Sequence, residues 1–471
     1  MSEVLWRWPD LVAAAQGVAD GTPSLRITGL SIDTRSLAPG DVFVALQDVR
    51  DGHEFVPNAF RAGAAAAIVS RAFPRAGTAG ALVRVVDPLR ALEGLARAAR
   101  ARSSARVIAV TGSVGKTGTK EMLRLALSAA GPTHAAEKSY NNHWGVPLTL
   151  ARMPATSQFA VCEIGMNHAG EITPLAELVR PHVAIVTTVE AVHLGHFPSV
   201  EAIAEAKAEI FTGLVPGGTA VLPRDNAHFP LLRERALAVG AKLVTFGYHE
   251  EADIRGLQVD LGPKGSGVIA GQGSQRFPYR VGAPGEHYVK NSLAVLAALI
   301  AVGADAMRCL PALARVSAPA GRGARTLLEA ADGPILLVDE SYNANPASVR
   351  AALAAVAATP REAFGRRVAV LGDMLELGEA AAELHRGLKA AVDAAGIDLV
   401  HACGPMMRLL YDELAPSQRG AWAPSSAELA EALVESVRAG DVVMVKGSLG
   451  TRMAPLVEAM IARFGPGRPG G

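Results

Sequence analysis

At residues 111–117 the chain reads Thr111-Gly112-Ser113-Val114-Gly115-Lys116-Thr117, between an apolar stretch at 107–110 and a segment with apolar residues at helical spacing. This order predicts a strand, a glycine-rich loop and a helix, the arrangement that cradles the phosphates of a nucleotide. Gly112 and Gly115 would let the backbone N–H groups of the loop close around phosphate oxygens, and the helix start adds its positive end. Lys116 would reach the outer phosphates, and the Thr117 hydroxyl would bind Mg²⁺.

The loop is shorter than the common G-x-x-x-x-G-K-[ST] pattern, because Val110 stands where that pattern has its first glycine. A glycine-rich turn of purely structural origin is therefore an alternative interpretation. The strand and helix patterns on either side of the loop favour nucleotide binding.

Composition narrows the classes of function. The chain has 471 residues, half of them hydrophobic, which suggests two to four domains. A net charge of +1 gives no broad field for nucleic acid or an anionic membrane. Three widely spaced cysteines indicate reduced thiols. The first ten residues lack the apolar core of a signal peptide, and the longest apolar run, near 294–302, is too short to span a bilayer. We expect a cytoplasmic protein without an integral membrane segment.

The chain divides into three predicted domains, residues 1–104, 105–318 and 319–471. The first contains short strand patterns and a helix, at Leu25–Ile27, Val42–Ala45, Ala67–Val69, Leu82–Val85 and Leu89–Ala101. The boundary before the third domain is marked by Pro319 and the turn Gly321-Arg322-Gly323. We expect the tail at 465–471 to be disordered.

Strands alternate with helices through the other two domains, which predicts an α/β fold with mainly parallel sheets. The central strand patterns are Val107–Val110, Phe159–Ile164, Val183–Thr188, Thr219–Leu222 and Leu243–Phe246, and those of the third domain are Ile335–Asp339, Val368–Leu371, Leu399–Ala402 and Val442–Val445. The glycine-rich stretch Ile254–Val281 predicts antiparallel strands. The expected architecture is an N-terminal α/β domain, a central P-loop domain and a C-terminal Rossmann-like domain.

Two candidate metal ligands follow central strands. Glu163 lies near the end of one strand pattern, and His193 comes after the next. Because ligands of parallel α/β sheets lie beyond the carboxyl ends of the strands, both side chains should converge on the glycine loop. A carboxylate suits Mg²⁺, and an imidazole is an unusual ligand for it. A surface glutamate and a loop histidine without a ligand are the alternative.

Lys207 occupies an unusual position. The segment 199–214 has a helical pattern, and Lys207 shares its apolar stripe with Ile203 and Ile210. Such a lysine either extends its ammonium to solvent or is functional. Burial would lower its pKa, and the neutral amine can react with CO₂ to give a carbamate, an anionic metal ligand.

The third domain offers a second group of polar residues. Asp339 ends an apolar strand, and Asp339 and Tyr342 would meet a ribose and a base. Asn345 and Pro346 suit a helix start. Lys446-Gly447-Ser448 follows another strand and either binds an anion or forms a plain strand-to-helix turn.

Taken together, these residues resemble the Mur ligase family, along nearly the whole chain and in the family's order. The resemblance rests on Ser31–Ser36, Asp51-Gly52-His53, Thr111–Thr117, Asn141-Asn142, Gly145–Leu148, Glu163–Asn167, Ala204–Phe211, His287 with Asn291, and Asp339–Pro346. Within the family, Leu371–Gly378 and Lys446-Gly447-Ser448 are similar to the branch that adds D-alanyl-D-alanine. The Asp-Asn-Pro-Arg signature of the branches that add diaminopimelate or lysine is absent from the sequence.

The resemblance implies site residues. Lys116, Lys207 and His193 would be catalytic. Mg²⁺ would be bound by Thr117, Glu163, His193 and a carbamylated Lys207. ATP would be bound by Gly112, Ser113, Gly115, Lys116, Thr117, His287, Asn291, Arg322, Asp339, Tyr342 and Asn345. The UDP-substrate would be bound by Thr34, Arg35, Ser36, Asn141 and Asn142, which makes the first domain a UDP-binding domain.

The implied activity is ATP-dependent ligation of UDP-N-acetylmuramoyl-tripeptide to D-Ala-D-Ala through an acyl phosphate, in cytoplasmic synthesis of the peptidoglycan precursor. The third residue of the tripeptide is diaminopimelate or lysine. We expect a monomer without a nucleic-acid partner. Two alternatives stay open: a folylpolyglutamate synthase-like ligase, against which the motif at 33–36 argues, and a nucleotide switch, which leaves Lys207 and the loop at 339–346 unexplained.

Overall fold

The computed structural model describes residues 4–75, 80–192, 194–262, 264–318 and 320–465, which form three β-sheets with their helices. His193, Pro319 and the tail beyond Gly465 lie outside the described residues. The predicted α/β class is confirmed, because most strands pair in parallel and helices connect them.

The first sheet has five strands in the order β1-β5-β4-β3-β2, parallel except for β1. Its elements are α1 (Trp8–Ala14), β1 (Val18–Asp20), β2 (Gly29–Ser31), β3 (Asp41–Val44), α2 (Val56–Arg61), β4 (Ala66–Ser70), β5 (Ala81–Val85) and α3 (Pro88–Arg102). The predicted strand at Leu25–Ile27 is wrong. Ile27 makes only an isolated bridge to Trp6, and pairing with β3 begins at Gly29, where an added Cβ would lie 2.1 Å from Asp41 Oδ1.

The central sheet has nine strands in the order β14-β13-β12-β11-β10-β9-β6-β8-β7. Its strands are β6 (Arg106–Thr111), β7 (Thr133–Ala135), β8 (Phe159–Glu163), β9 (Val183–Val186), β10 (Thr219–Pro223), β11 (Lys242–Gly247), β12 (Ile254–Asp260), β13 (Ser266–Gln272) and β14 (Gln275–Val281). Strands β6 to β12 pair in parallel, whereas β12, β13 and β14 pair in antiparallel fashion, as predicted for 254–281.

Helices cover both faces of this sheet and bury two apolar clusters. They are α4 (Lys116–Ser128), α5 (Gly145–Ala151), α6 (Ile172–Val179), α7 (Val200–Ala208), α8 (Phe229–Ala238), α9 (Glu286–Ala301) and α10 (Ala306–Cys309). Strand β6 lies between β8 and β9, so the carboxyl ends of these three strands meet at one edge. This geometry places the glycine loop beside Glu163.

The third sheet has six strands in the order β15-β16-β20-β17-β18-β19, with only β15 antiparallel. Its elements are β15 (Ala324–Ala330), β16 (Gly333–Glu340), α11 (Pro346–Ala357), β17 (Arg366–Gly372), α12 (Ala381–Arg386), α13 (Lys389–Ala394), β18 (Leu399–Cys403), α14 (Met407–Glu413), β19 (Arg419–Ala423), α15 (Ser426–Ser436), β20 (Asp441–Lys446) and α16 (Ala454–Phe464). The edge strands β15 and β19 are half-exposed, and their weak apolar pattern did not predict them.

Six short 3₁₀ helices complete the described secondary structure, at Gly52–Phe55, Glu209–Gly213, Leu310–Arg315, Gly378–Ala380, Pro416–Gln418 and Leu449–Thr451. In the part of the chain that the structure describes, no helix combines the length and the apolar character needed to cross a membrane.

The first sheet is fixed to the central one by polar contacts around α5. The Trp6 indole donates to Ala151 O at 2.9 Å, and the Arg102 guanidinium lies 3.8 Å from the centre of the Trp6 ring. Arg152 donates to Leu30 O at 2.7 Å. The two hydrogen bonds join residues more than a hundred positions apart and link the first domain to α5 of the central one.

Buried histidines should make the fold sensitive to acid. His401 on β18 is 1% exposed; its Nδ1 accepts the Ala421 N–H and its Nε2 donates to Ser436 Oγ at 2.8 Å. Burial lowers the pKa of His401 to about 4. Below about pH 6.5, His401 therefore binds a proton in the unfolded chain but not in the folded chain. The stability of the fold falls as the pH falls.

We expect the His401 contribution to reach roughly 2 kcal/mol at pH 5. The measurement is the urea midpoint at pH 7 and pH 5. The loss on acidification should be smaller in His401→Gln than in the wild type, whereas His249→Gln, at an exposed histidine, should behave like the wild type. Equal acid sensitivity of all three proteins would contradict the assignment.

Candidate active site

The glycine loop is held in a shape that only glycine allows. Gly112 has φ +147° and Gly115 has φ +88°, both in a region that L side chains rarely adopt. An added Cβ at Gly112 would lie 1.9 Å from Thr187 Oγ1, and one at Gly115 would lie 2.8 Å from Asn291 Oδ1. Both glycines are therefore required by backbone conformation and by close neighbours.

Residues that follow β9 hold the glycine loop in place through hydrogen bonds. The Thr187 hydroxyl donates to Val114 O at 2.6 Å, and the Ser113 N–H donates to Thr188 O at 2.9 Å. Ser113 Oγ donates to Glu190 O at 3.1 Å and accepts the Glu190 N–H at 2.9 Å. Sequence analysis missed these supports, although two threonines at the end of an apolar strand are a usable signal.

Lys116 folds back over its own loop. Its Nζ donates to Gly112 O at 2.6 Å and to Ser113 O at 3.4 Å. Burial lowers the pKa of Lys116 to about 8; the Glu163 carboxylate opposes that shift and Arg322 adds to it. The ammonium is thus a cation held at the loop mouth by neutral carbonyls, which an anionic phosphate can replace.

Thr117 and Glu163 form the centre of a candidate metal site. Thr117 Oγ1 donates to Glu163 Oε1 at 3.2 Å and lies 3.0 Å from Ser139 Oγ, while Asn141 Nδ2 donates to the same Oε1 at 2.7 Å. Glu163 is 1% exposed, and its Oε2 has no hydrogen-bond partner among the described residues. A buried, unpartnered carboxylate oxygen beside a hydroxyl fits a hard divalent cation.

No cluster of three His, Cys, Asp or Glu side chains within the described ranges is arranged to hold a metal ion. The candidate site therefore depends on a mixed donor set in which a hydroxyl and a carboxylate come first. The predicted ligand His193 lies outside the described residues, and the predicted ligand Lys207 lies on α7.

Lys207 is buried near the end of α7, with 2% of its surface exposed. Among the described residues, no carboxylate or hydrogen-bond acceptor lies within hydrogen-bonding or ion-pairing distance of its ammonium. Burial, together with the charge of Lys116, holds the pKa of Lys207 well below its ordinary value. The side chain therefore does not reach solvent as a snorkelling lysine would, and the neutral amine is favoured.

The wall from the third domain is built around Asp339. Its Oδ2 accepts the Gly321 N–H at 2.8 Å, and its Oδ1 accepts the N–H and hydroxyl of Ser341 at 3.1 and 2.6 Å. These bonds fix the turn that presents Arg322 against Tyr342, whose ring centre lies 4.1 Å from the guanidinium carbon. Both oxygens of Asp339 are thus engaged within the protein.

Asn345 and Lys446 hold the loop after β16. The Asn345 side chain accepts the Ser348 N–H at 2.8 Å in a capping box, so its predicted role at the helix start is confirmed. Lys446 is 2% exposed and donates to Glu340 Oε2 at 3.2 Å and Asn343 O at 2.9 Å. Of the two interpretations of Lys446-Gly447-Ser448, these contacts favour a structural one for the lysine.

Helix α9 contributes the remaining candidates for nucleotide binding. Asn291 is buried against Gly115, and the exposed His287 ring lies 4.5 Å from the Tyr288 ring. Desolvation lowers the pKa of His287 below its ordinary value. The Tyr288 hydroxyl donates to Arg322 O at 3.3 Å and links α9 to the third domain.

One cavity of about 1260 Å³ joins most of these groups. Among the predicted site residues, its lining includes Ser113, Gly115, Lys116, Asn141, Asn142, Glu163, His287, Asn291, Arg322, Tyr342 and Asn345. All three domains contribute to this lining, the first through Arg90, Glu93 and Arg97 of α3.

Thr34, Arg35 and Ser36 lie elsewhere, outside the lining of this cavity. Arg35 is exposed and pairs with Asp33, with Nη2–Oδ2 at 2.7 Å and Nε–Oδ1 at 2.9 Å. Asn142 Oδ1 accepts the Gly145 N–H at 2.9 Å at the start of α5, a capping role that the sequence did not indicate.

Three family models match the chain: the Mur ligase family catalytic domain at residues 26–101, the Mur ligase middle domain at 110–299, and the Mur ligase glutamate ligase domain at 325–449. The chain is similar to the UDP-N-acetylmuramoyl-tripeptide--D-alanyl-D-alanine ligase of Bacillus subtilis strain 168, with 33% identity over 92% of this chain and 93% of that protein.

Two solved structures are also similar to this chain. MurF from Acinetobacter baumannii superimposes with a TM-score of 0.82 at 29% identity, covering 97% of this chain and 99% of that one. MurF ligase from Thermotoga maritima in complex with ADP superimposes with a TM-score of 0.76 at 26% identity, covering 92% and 97%.

The close contact at Gly112 gives a direct test of the loop. Gly112→Ala places a methyl group against Thr187, so we expect nucleotide binding to weaken by more than about tenfold, about 1.4 kcal/mol. The measurement is equilibrium binding of a fluorescent ATP analogue. Gly217→Ala is the matched control, because Gly217 also has positive φ, +72°, with nothing within 4 Å of an added Cβ. Equal affinities of the two variants would refute the steric argument.

Proposed function

Since the chain belongs to the Mur ligase family, we propose that it is an ATP-dependent amide ligase that joins D-alanyl-D-alanine to UDP-N-acetylmuramoyl-tripeptide in peptidoglycan precursor synthesis. One observation carries the chemistry. Lys116, Thr117 and the unpartnered oxygen of Glu163 meet at one sheet edge, facing a cavity that Arg322 and Tyr342 close from the third domain. A nucleotide can thus be bound from both sides.

The reaction has two steps. The terminal carboxylate of the tripeptide attacks the γ-phosphorus of ATP, the bond to the β-γ bridging oxygen breaks, and ADP leaves. The resulting acyl phosphate is then attacked at its acyl carbon by the amine of D-Ala-D-Ala, which gives up a proton as phosphate departs and the amide forms. Lys116 offsets charge on the transferring phosphoryl group, and the glycine loop positions it.

We assign Thr117 and Glu163 to one Mg²⁺ and His193 with carbamylated Lys207 to a second. When bound, the cations neutralise phosphate charge and orient the phosphate oxygens. The buried, unpartnered Oε2 of Glu163 supports the first assignment. The buried amine of Lys207, with its depressed pKa, supports the carbamate, because a neutral amine is the form that reacts with CO₂.

The substrates are proposed to occupy different parts of the chain, divided into domains 1–104, 105–318 and 319–471. His287, Asn291, Arg322, Asp339, Tyr342 and Asn345 would contact or position ATP. Asp339 would act through the turn that it holds. Thr34, Arg35 and Ser36 would anchor the UDP group, with Asn141 and Asn142 nearer the reacting end of the substrate. The enzyme would work as a cytoplasmic monomer that supplies cell-wall growth, and thus cell shape and division.

A ligase and a nucleotide switch differ in what triggers phosphate release. We expect phosphate to appear only when ATP, UDP-N-acetylmuramoyl-tripeptide and D-Ala-D-Ala are all present, with the pentapeptide product seen by mass spectrometry. Lys116→Ala should lose most of this activity, since its ammonium is the cation at the loop mouth. Equal phosphate release from ATP alone would favour the switch, and turnover with a folate substrate would favour the folylpolyglutamate synthase alternative.

The carbamate gives a second test. Lys207→Ala should lose most activity, and acetate should restore part of it, because a small carboxylate can occupy the vacated space and supply oxygen ligands. Bicarbonate should not restore it, since no amine remains to be modified.

Carbon-13 NMR supplies a readout that does not depend on turnover. Labelled bicarbonate should give a carbamate signal in the wild type that is missing from Lys207→Ala but retained in Lys389→Ala, where an exposed lysine pairs with Asp393. A fully active Lys207→Ala without added acid, or the same signal in all three proteins, would overturn the assignment.

A further inference from the structure

A second buried lysine lies one helical turn beyond Lys116 and takes no part in the chemistry described above. Lys120 on α4 has no exposed surface. Its ammonium donates to Ala136 O at 2.6 Å and to Lys138 O at 3.3 Å, and it pairs with Glu121 Oε1 at 2.8 Å. An ammonium has three N–H donors, and here each one has a protein acceptor.

The position is electrostatically unfavourable for a cation. Lys120 lies in the second turn of α4, near the N-terminal end of the helix and not at the C-terminal end, where the helix dipole favours cations. Removing an ammonium from water is unfavourable unless its hydrogen bonds are replaced. An apolar residue would fill such a helix position without that cost, so the contacts made by the ammonium need an explanation.

Both carbonyl acceptors belong to one segment, residues 136–142. The same segment supplies Ser139, which contacts Thr117 at 3.0 Å, and Asn141, which donates to Glu163 at 2.7 Å. Among the described residues, only Asn141 and Thr117 donate hydrogen bonds to the Glu163 carboxylate.

At its middle, segment 136–142 also faces the first domain. Arg35 lowers the pKa of Asp33 chiefly through its hydrogen bond, and the charge of Lys138 adds to that effect. Tyr140 packs against the apolar cluster of the first domain. Segment 136–142 thus connects the turn proposed to bind UDP with the site proposed to bind Mg²⁺.

We propose that Lys120 is a positioning residue whose buried ammonium fastens segment 136–142 to the P-loop helix and so sets the orientation of Glu163 and Thr117 toward the metal. The inference rests on the proposed function for the identity of the metal. Lys120 touches neither nucleotide nor metal ligand directly, and its effect passes through backbone carbonyls of the segment.

The test compares Lys120→Met, which keeps the length of the side chain and removes its donors, with Lys389→Met, which removes an ion-paired lysine outside the cavity lining. Hydrogen exchange of the ligand-free proteins should be faster in residues 136–142 of Lys120→Met only. The Mg²⁺ concentration for half-maximal ligation should rise by about tenfold or more in that variant, the usual effect of losing support for a metal ligand.

The following measurements distinguish a positioning role of Lys120 from a merely structural one. At saturating Mg²⁺ the kcat of Lys120→Met should approach that of the wild type, the KM for D-Ala-D-Ala should not change, and Lys120→Arg should restore part of the Mg²⁺ affinity. A lower Tm with unchanged exchange at 136–142 and unchanged Mg²⁺ dependence would overturn the proposal.

Glu121→Gln keeps the proposal testable if Lys120→Met does not fold. It removes the counter-charge of the ammonium while leaving a hydrogen-bond acceptor, so both readouts should move in the same direction by a smaller amount. No change in either would overturn the proposal. If the wild type shows no ligation, the proposed function is refuted. Faster exchange at 136–142 in the variant would still support the role of the ammonium in holding this segment.

Discussion

The site depends on one buried carboxylate. Glu163 ends the strand next to the glycine loop, is almost fully buried, and accepts hydrogen bonds from Thr117 and Asn141 on a single oxygen. A buried carboxylate with hydrogen bonds to one oxygen and no partner for the other is destabilising unless a cation binds the second oxygen. Segment 136–142, the P-loop helix and strand β8 all converge on this group, so its orientation couples elements that are distant in sequence.

Three lysines of the central domain show how surroundings decide the role of one functional group. Lys116 rests on carbonyls of its own loop and can exchange them for phosphate. Lys120 has a protein acceptor for each N–H of its ammonium, so its role is structural. Lys207 is equally buried, yet within the described chain no acceptor contacts it, and burial favours its neutral amine. Their spacing in sequence gives little hint of this division, because it depends on what the fold packs against each ammonium.

Much of this arrangement could be predicted from the sequence, because it follows from local patterns. The glycine loop, the strand leading to Glu163 and the helix cap at Asn345 depend on a few neighbouring residues and on the rule that parallel strands end at one edge. The hydrogen bonds of Thr187 and Ser139 and the carbonyl contacts of Lys120 were missed because their partners lie more than fifteen residues away in sequence. Leu25–Ile27 failed as a strand because pairing depends on the neighbouring chain, not on a short apolar run.

The third domain carries its half of the cavity as a preassembled unit. Asp339 accepts hydrogen bonds from Gly321, in the turn before Arg322, and from Ser341, next to Tyr342. Lys446 and Asn345 hold the loop that carries Tyr342. Groups fixed so firmly within their own domain cannot adjust one by one to a nucleotide. A movement that brings Arg322 and Tyr342 toward Lys116 would therefore carry these connected loops together. The contacts available to guide it are those that already cross the boundary, such as the Gly195 N–H donated to Glu376 O at 2.8 Å and the Tyr288 hydroxyl donated to Arg322 O.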